Sequence, residues 1–312
     1  MVSGLGAAVG PLLPVVIVVA TGAGLARLGL LPPEVRRGVE KLVYFVLLPA
    51  LLVDKLSSAS LVGIGGDVAR MGAALGSATL AVAGLVLLLS RVAGVPERSR
   101  GTLAQAGIRG NLAFVGLPVV ALAAGGDPGP AARAALVLGP MVVLYNVVSV
   151  PLLIGVDRSG GPAAAARRVA RPLATNPILL ACVGGLALAA MPALPGPAAR
   201  SVALLGQPAG PLALLCLGAA ITAFPVRTRL RHAALAIAFK SVAIPAFAVG
   251  AGVALGLRGD DLRSVAIFAS APTAVASYVL TTQLGGDEEL AAAAIAATTV
   301  FSVVPLTLAM SI

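Results

Sequence analysis

Asn111-Leu-Ala-Phe-Val-Gly-Leu-Pro118 interrupts one long apolar run in the first half of the chain. A second interruption, Ala269-Ser-Ala-Pro272-Thr-Ala-Val-Ala-Ser-Tyr278, breaks another run in the second half. The two prolines stand 154 positions apart (118 to 272) in a chain of 312 residues, close to half its length. A helix that stops inside hydrocarbon leaves backbone N–H and C=O groups without intrahelical partners. Such a stop is tolerated only where protein or a cavity satisfies those groups. Matching breaks in two halves of a membrane chain are the best sequence pointer to a carrier's binding site.

Everything around these breaks reads as membrane. The chain is 59% hydrophobic and 11% charged, with a mean hydropathy of +1.03. A soluble domain of this length has too little interior to hide so much apolar surface. The apolar stretches reach about 20 residues, enough to cross the bilayer as helices, and they lack the period-two alternation of barrel strands. Candidate spans lie near 5–26, 39–53, 68–89, 102–124, 134–156, 173–191, 201–224, 233–256, 264–284 and 290–311. The expected fold is therefore an all-α polytopic membrane protein with ten transmembrane helices, spans four and nine being broken.

Charge sets the orientation. Loops after odd-numbered spans hold 14 of the 22 Lys and Arg residues, and loops after even-numbered spans hold six. The cationic loops face the cytoplasm, so both termini lie outside. The first charge, Arg27, follows the first apolar run, where a secretory signal would carry its charge before that run. The net charge of +10 suggests loop patterning rather than a nucleic-acid partner, since there is no Trp and only 3% aromatic content. Five spans per half force opposite orientations on the halves, so a repeat would be inverted, with units 1–156 and 157–312. Pro151 and Pro305 repeat the 154-residue offset, and Pro49 and Pro211 lie 162 apart.

The polar residues near the breaks are the candidate site. Gly116, Pro118 and Pro272 shape it, while Asn111, Thr273, Ser277 and Tyr278 offer side-chain hydrogen bonds. A helix N-terminus ending there carries about half a positive charge and attracts anions. Arg109 either reaches such an anion or snorkels to the cytoplasmic face, and Lys240 reads as snorkelling. Asn146, with Tyr145 and Ser149 in span five, either joins the site or bonds between helices. Spans four, five, nine and ten contain no acidic residue, which counts against a paired-carboxylate cation antiporter. No phosphate-binding loop, zinc signature or nucleophile elbow is present, so no enzyme activity and no cofactor are expected. Cys182 and Cys216 read as small apolar residues, and the lone His232 as a solvated loop residue.

At these residues the chain resembles the auxin efflux carrier family. The likeness runs through Tyr44-Phe-Val-Leu-Leu-Pro49, Asn111 to Pro118, Asn176-Pro177, Leu214-Leu-Cys-Leu-Gly218, Lys240 with Pro245, and Pro272 to Pro305. The resemblance implies two inverted five-helix repeats on a plan similar to sodium–bile acid symporters. Spans four and nine would cross at Pro118 and Pro272. It implies a secondary transporter or uniporter of the cytoplasmic membrane, carrying auxin-like anions or dicarboxylates such as malate and malonate. A coupling proton or sodium ion and a homodimer are compatible with it. The long central cytoplasmic loop of many plant members is absent, and the stretch near 157–172 is short. A cation-coupled antiporter and a membrane sensor that does not transport are the competing readings.

Overall fold

A computed structural model describes residues 13–57, 65–125, 127–154, 167, 170, 174–175, 177–191, 194–223 and 230–312. The start of the first expected span, Asn176 and most of the 157–172 stretch lie outside the described residues. Among the described residues the protein is all-helical, with a single isolated β-bridge. The first helix, α1, is Leu13–Arg27. Then α2 (Pro33–Leu42) runs through a wide π-turn (Val43–Leu47) into α3 (Leu48–Ser57). The long helix α4 is Gly66–Val92. Next come α5 (Glu97–Ile108), a π-turn (Leu112–Gly116) with α6 (Leu117–Ala123), and α7 (Pro128–Ile154).

The second half follows with α8 (Pro177–Ala189), α9 (Gly196–Gly206) and α10 (Ala209–Ala223). Helix α11 (Leu230–Ile237) passes through a π-turn (Ala238–Ala243) into α12 (Ile244–Ala254). The chain ends with α13 (Gly259–Ser270), α14 (Ala276–Gln283), α15 (Glu288–Phe301) and α16 (Val303–Met310). Among the described residues three stretches are long and apolar enough to cross a bilayer: Gly66–Val92, Gly129–Ile154 and Arg231–Ala254. The pair α15 and α16, bent by 44°, makes a fourth if taken as one span. This is a multi-pass membrane protein.

The three π-turns among the described residues have one local cause. Each is followed by a proline at the second position of the next helix: Pro49, Pro118 and Pro245. A proline ring clashes with the carbonyl one turn back and offers that carbonyl no N–H. Widening the preceding turn moves the carbonyl aside without ending the helix. In two of the three the sequence itself repeats, as Phe45-Val-Leu-Leu-Pro49 and Phe114-Val-Gly-Leu-Pro118.

Among the described residues, packing forms three apolar cores. The largest gathers side chains of α4 to α7, α11 to α13, α15 and α16, with Met71, Leu103, Ile108, Met141, Ile267, Phe268 and Leu306 fully buried. A second gathers Tyr44, Leu47 and Leu52 with Ala181 of α8 and Ala213 of α10. A third joins Val275 and Tyr278 to Ala291, Ala292 and Ile295 of α15. Close helix contacts rely on missing side chains. A Cβ on Gly22 would collide with the Leu215 carbonyl, and one on Gly218 with the Val19 carbonyl, so α1 and α10 meet backbone to backbone. Gly101 does the same for α5 against Leu152 of α7. Dispersion at such contacts, not the hydrophobic effect, holds helices together in lipid.

Candidate functional site

The two broken spans cross. Helix α5 ends at Ile108, Arg109 and Asn111 leave helical geometry, and the chain turns helical again at Leu112. Helix α13 ends at Ser270 and α14 begins at Ala276. Between these ends Gly110 and Thr273 face each other as an antiparallel bridge. Asn111 N–H donates to Pro272 O at 2.8 Å, and Ala274 N–H donates to Arg109 O at 2.9 Å. Each break therefore satisfies part of the other's orphaned backbone, as buried peptide groups require.

Side chains complete the satisfaction. The Thr273 hydroxyl donates to Ala106 O at 2.7 Å, and Thr273 N–H donates to the Thr298 hydroxyl at 3.1 Å. Gln105 Nε2 donates to Ser277 O and Thr281 Oγ1, tying α5 to α14. Lys240 Nζ donates to Ala269 O at 2.6 Å, placing a cation where the carbonyl end of α13 is negative. Lys240 is 0% exposed, which corrects the expectation that it snorkels. Its π-turn lies against the crossing, so its short reach to a helix C-terminus replaces a long reach to water.

A cavity of about 60 Å³ lies at the crossing. Arg109, Gly110, Asn111, Leu112, Ala113 and Phe114 line it from one break, and Ala274, Val275 and Ala276 from the other. Leu138, Val142 and Tyr145 of α7 and Leu48 and Leu52 of α3 supply its wall. The N–H groups of Leu112, Ala113, Val275 and Ala276 open helical segments, where no carbonyl lies one turn back to accept them. Two positive helix ends thus converge on one small chamber with a guanidinium beside them. Arg109 is 4% exposed and is braced by a 3.2 Å bond from Nη1 to Asn146 Oδ1. Asn146 Nδ2 is in turn fixed to Val142 O at 2.8 Å. Asn111 caps its helical segment, its Oδ1 accepting from Phe114 N–H at 3.4 Å. Preformed N–H donors and a fixed cation in an apolar wall favour an anionic ligand.

The remaining candidates fall around this chamber. Pro272 and Thr273 form the crossing itself, with Thr273 turned toward α5. Asn146 stands one bond behind the cavity. Ser277 is fully buried on α14, its carbonyl held by Gln105. Gly116 packs on α13, where a Cβ would come within 2.9 Å of Phe268. Pro118 is the second residue of α6, seven positions after Asn111, so Pro272 and Thr273 meet Gly110 and Asn111 rather than Pro118. A proline perturbs the turn before it, and here the π-turn absorbs that perturbation while the break falls earlier. Tyr278 points away from the cavity, packing with Ile295 and beneath Arg36, whose Cζ is 5.9 Å from the ring centre.

Gln105 was the residue the sequence reading missed. A glutamine one turn before Arg109 in an apolar run was the signal, since such a group needs a buried partner.

The family model described as membrane transport protein matches residues 7–154 and 162–310. The chain belongs to this family, that of the auxin efflux carriers. A "Putative malonate transporter" of Rhizobium meliloti (strain 1021) is 28% identical over 217 residues, covering 67% of this chain and 67% of that protein. Membership makes this chain a membrane transporter, and the residues of the crossing fall within the matched stretches.

Proposed function

We propose that this protein carries a small organic anion across the cytoplasmic membrane by alternating access, with the cavity at the crossing as its binding site. The observation that carries the reading is the convergence of two helix N-termini and Arg109 on one chamber. Arg109 supplies charge attraction, Asn111 a side-chain hydrogen bond, and the first-turn N–H groups the remaining donors. Gly116 and Pro118 hold the π-turn that aims these donors, and Pro272 and Thr273 hold the opposing break in register. The named Rhizobium relative makes malonate the first substrate to try.

Ten helices arranged as two inverted repeats, 1–156 and 157–312, fit this reading. Each half contributes one broken span, and the two breaks run antiparallel where they meet, as inverted copies demand. Both termini outside follows from the loop charges. The experiment is malonate uptake into vesicles carrying the purified protein, with Arg109→Leu and Asn111→Leu as comparisons. Uptake by the wild type and its loss in both variants is expected. Unchanged uptake in a well-folded Asn111→Leu protein would place the site elsewhere. A thermal-shift screen of malonate, malate and auxin-like acids ranks substrates, since selective binding raises the unfolding temperature.

A further inference from the structure

A second, smaller chamber of about 20 Å³ adjoins the first, sharing Leu48, Phe114, Val275 and Ala276 as wall. It extends toward the end of α2, where Glu40 lines it. Among the described residues that line the two chambers, Glu40 is the one acid and Arg109 the one guanidinium. The Glu40 carboxylate lies 3.3 Å from Arg36 Nε, and the two side chains are 12% and 6% exposed. Arg36 also covers the face of Tyr278, a cation–π distance. The other groups acting on Glu40 are Arg37 on its own helix, Glu288 at the start of α15, Tyr278 on α14 and Cys216 on α10. The cluster thus joins α2, through Glu40 and Arg36, to α10, α14 and α15.

A carboxylate in a chamber beside an anion site faces a conflict of charge. When Glu40 is ionised it neutralises Arg36 and opposes an anion next door. When Glu40 is protonated, Arg36 keeps its charge over Tyr278 without its paired carboxylate, and the neighbouring chamber becomes more positive. Coupling between two bound species is reciprocal, so an anion that prefers protonated Glu40 must also draw a proton onto it. We propose that Glu40 is the proton-carrying group of this transporter, taking up a proton as the anion enters the crossing and releasing it as the anion leaves. This rests on the anion-site reading above. It makes the protein a proton–anion symporter rather than a uniporter.

The test measures protons and ligand together. Malonate is added to the purified protein in weak buffer at neutral pH with an indicator dye, and affinity is measured from mildly acidic to mildly alkaline pH. The wild type should draw protons from solution as malonate binds, and its affinity should fall as pH rises, by up to about tenfold per pH unit. Glu40→Gln should draw none and lose that pH dependence. Should Glu40→Gln not fold, Arg36→Gln gives the same information, because removing the paired cation moves the pH dependence to higher pH. Malonate binding without proton uptake in the wild type, or equal uptake by Glu40→Gln, overturns the proposal and leaves the anion site standing. No malonate binding to the wild type overturns both.

Discussion

The two breaks that meet at the crossing are alike in backbone and opposite in use. The first, at Arg109 to Asn111, turns its side chains into the cavity. Arg109 and Asn111 both line it, and among the described residues each side chain makes one hydrogen bond, to Asn146 and to Phe114 N–H respectively. The second, from Ala271 to Val275, turns its polar groups inward. Thr273 is bound by Ala106 and Thr298, and the preceding carbonyl end is capped by Lys240. Only backbone and small apolar groups of the second break reach the cavity. On the proposed reading, one half of the molecule supplies recognition and the other supplies the anvil against which it is built.

That division can be broken by substitution. The largest effect belongs to the clamp. Lys240→Leu leaves Ala269 O buried without its partner and removes the cation from the α13 terminus. We expect a loss of about 3 kcal/mol in unfolding free energy, read by thermal or denaturant unfolding in detergent. If Lys240→Leu abolished malonate binding at unchanged stability, the second break would be part of recognition. Next comes Arg109→Leu, which should weaken malonate binding by about 10- to 100-fold, the worth of a charged hydrogen bond of roughly 1.5–3 kcal/mol. Isothermal titration reads this directly, and an unchanged affinity would contradict the assignment of recognition to the first break.

Thr273→Val removes the bond to Ala106 O while keeping the shape, and should cost about 1–2 kcal/mol of stability. Its effect on malonate affinity should stay within about twofold, because the hydroxyl faces α5. The smallest effect is expected from Asn111→Ala. It removes a helix cap worth about 1 kcal/mol and one polar contact to the ligand, so affinity should fall by a few-fold with a small drop in melting temperature. An Asn111→Ala effect larger than that of Arg109→Leu would shift recognition from charge to the asparagine.

Much of this was legible before any coordinates. Composition and span length announce helices in a membrane, because burial in water cannot accommodate such a chain. The Gly116–Pro118 and Pro272 stretches announce broken spans, because proline removes a donor and crowds a carbonyl. The registration of the breaks was not legible. Pairing Pro118 with Pro272 by spacing overlooks that a π-turn can absorb a proline, so the break appears at Arg109 and Asn111 instead. The fate of Lys240 was hidden for a related reason. Snorkelling depends on which way a helix face points, and the π-turn at Ala238–Ala243 re-aims that face toward α13. Tyr278 shares a helix with Ser277, yet one residue of helical rotation sends it to Arg36 instead of the crossing.

The bridge between Gly110 and Thr273 has a mechanical meaning. Two main-chain bonds stitch the halves together at the crossing. Opening the seam would strand four peptide dipoles in oil. On the proposed transport reading, the elements joined at the seam are therefore expected to travel as a single block, carrying their cargo past α3, with the slip plane running along the wall that Leu48 and Leu52 share with Phe114 and Val275.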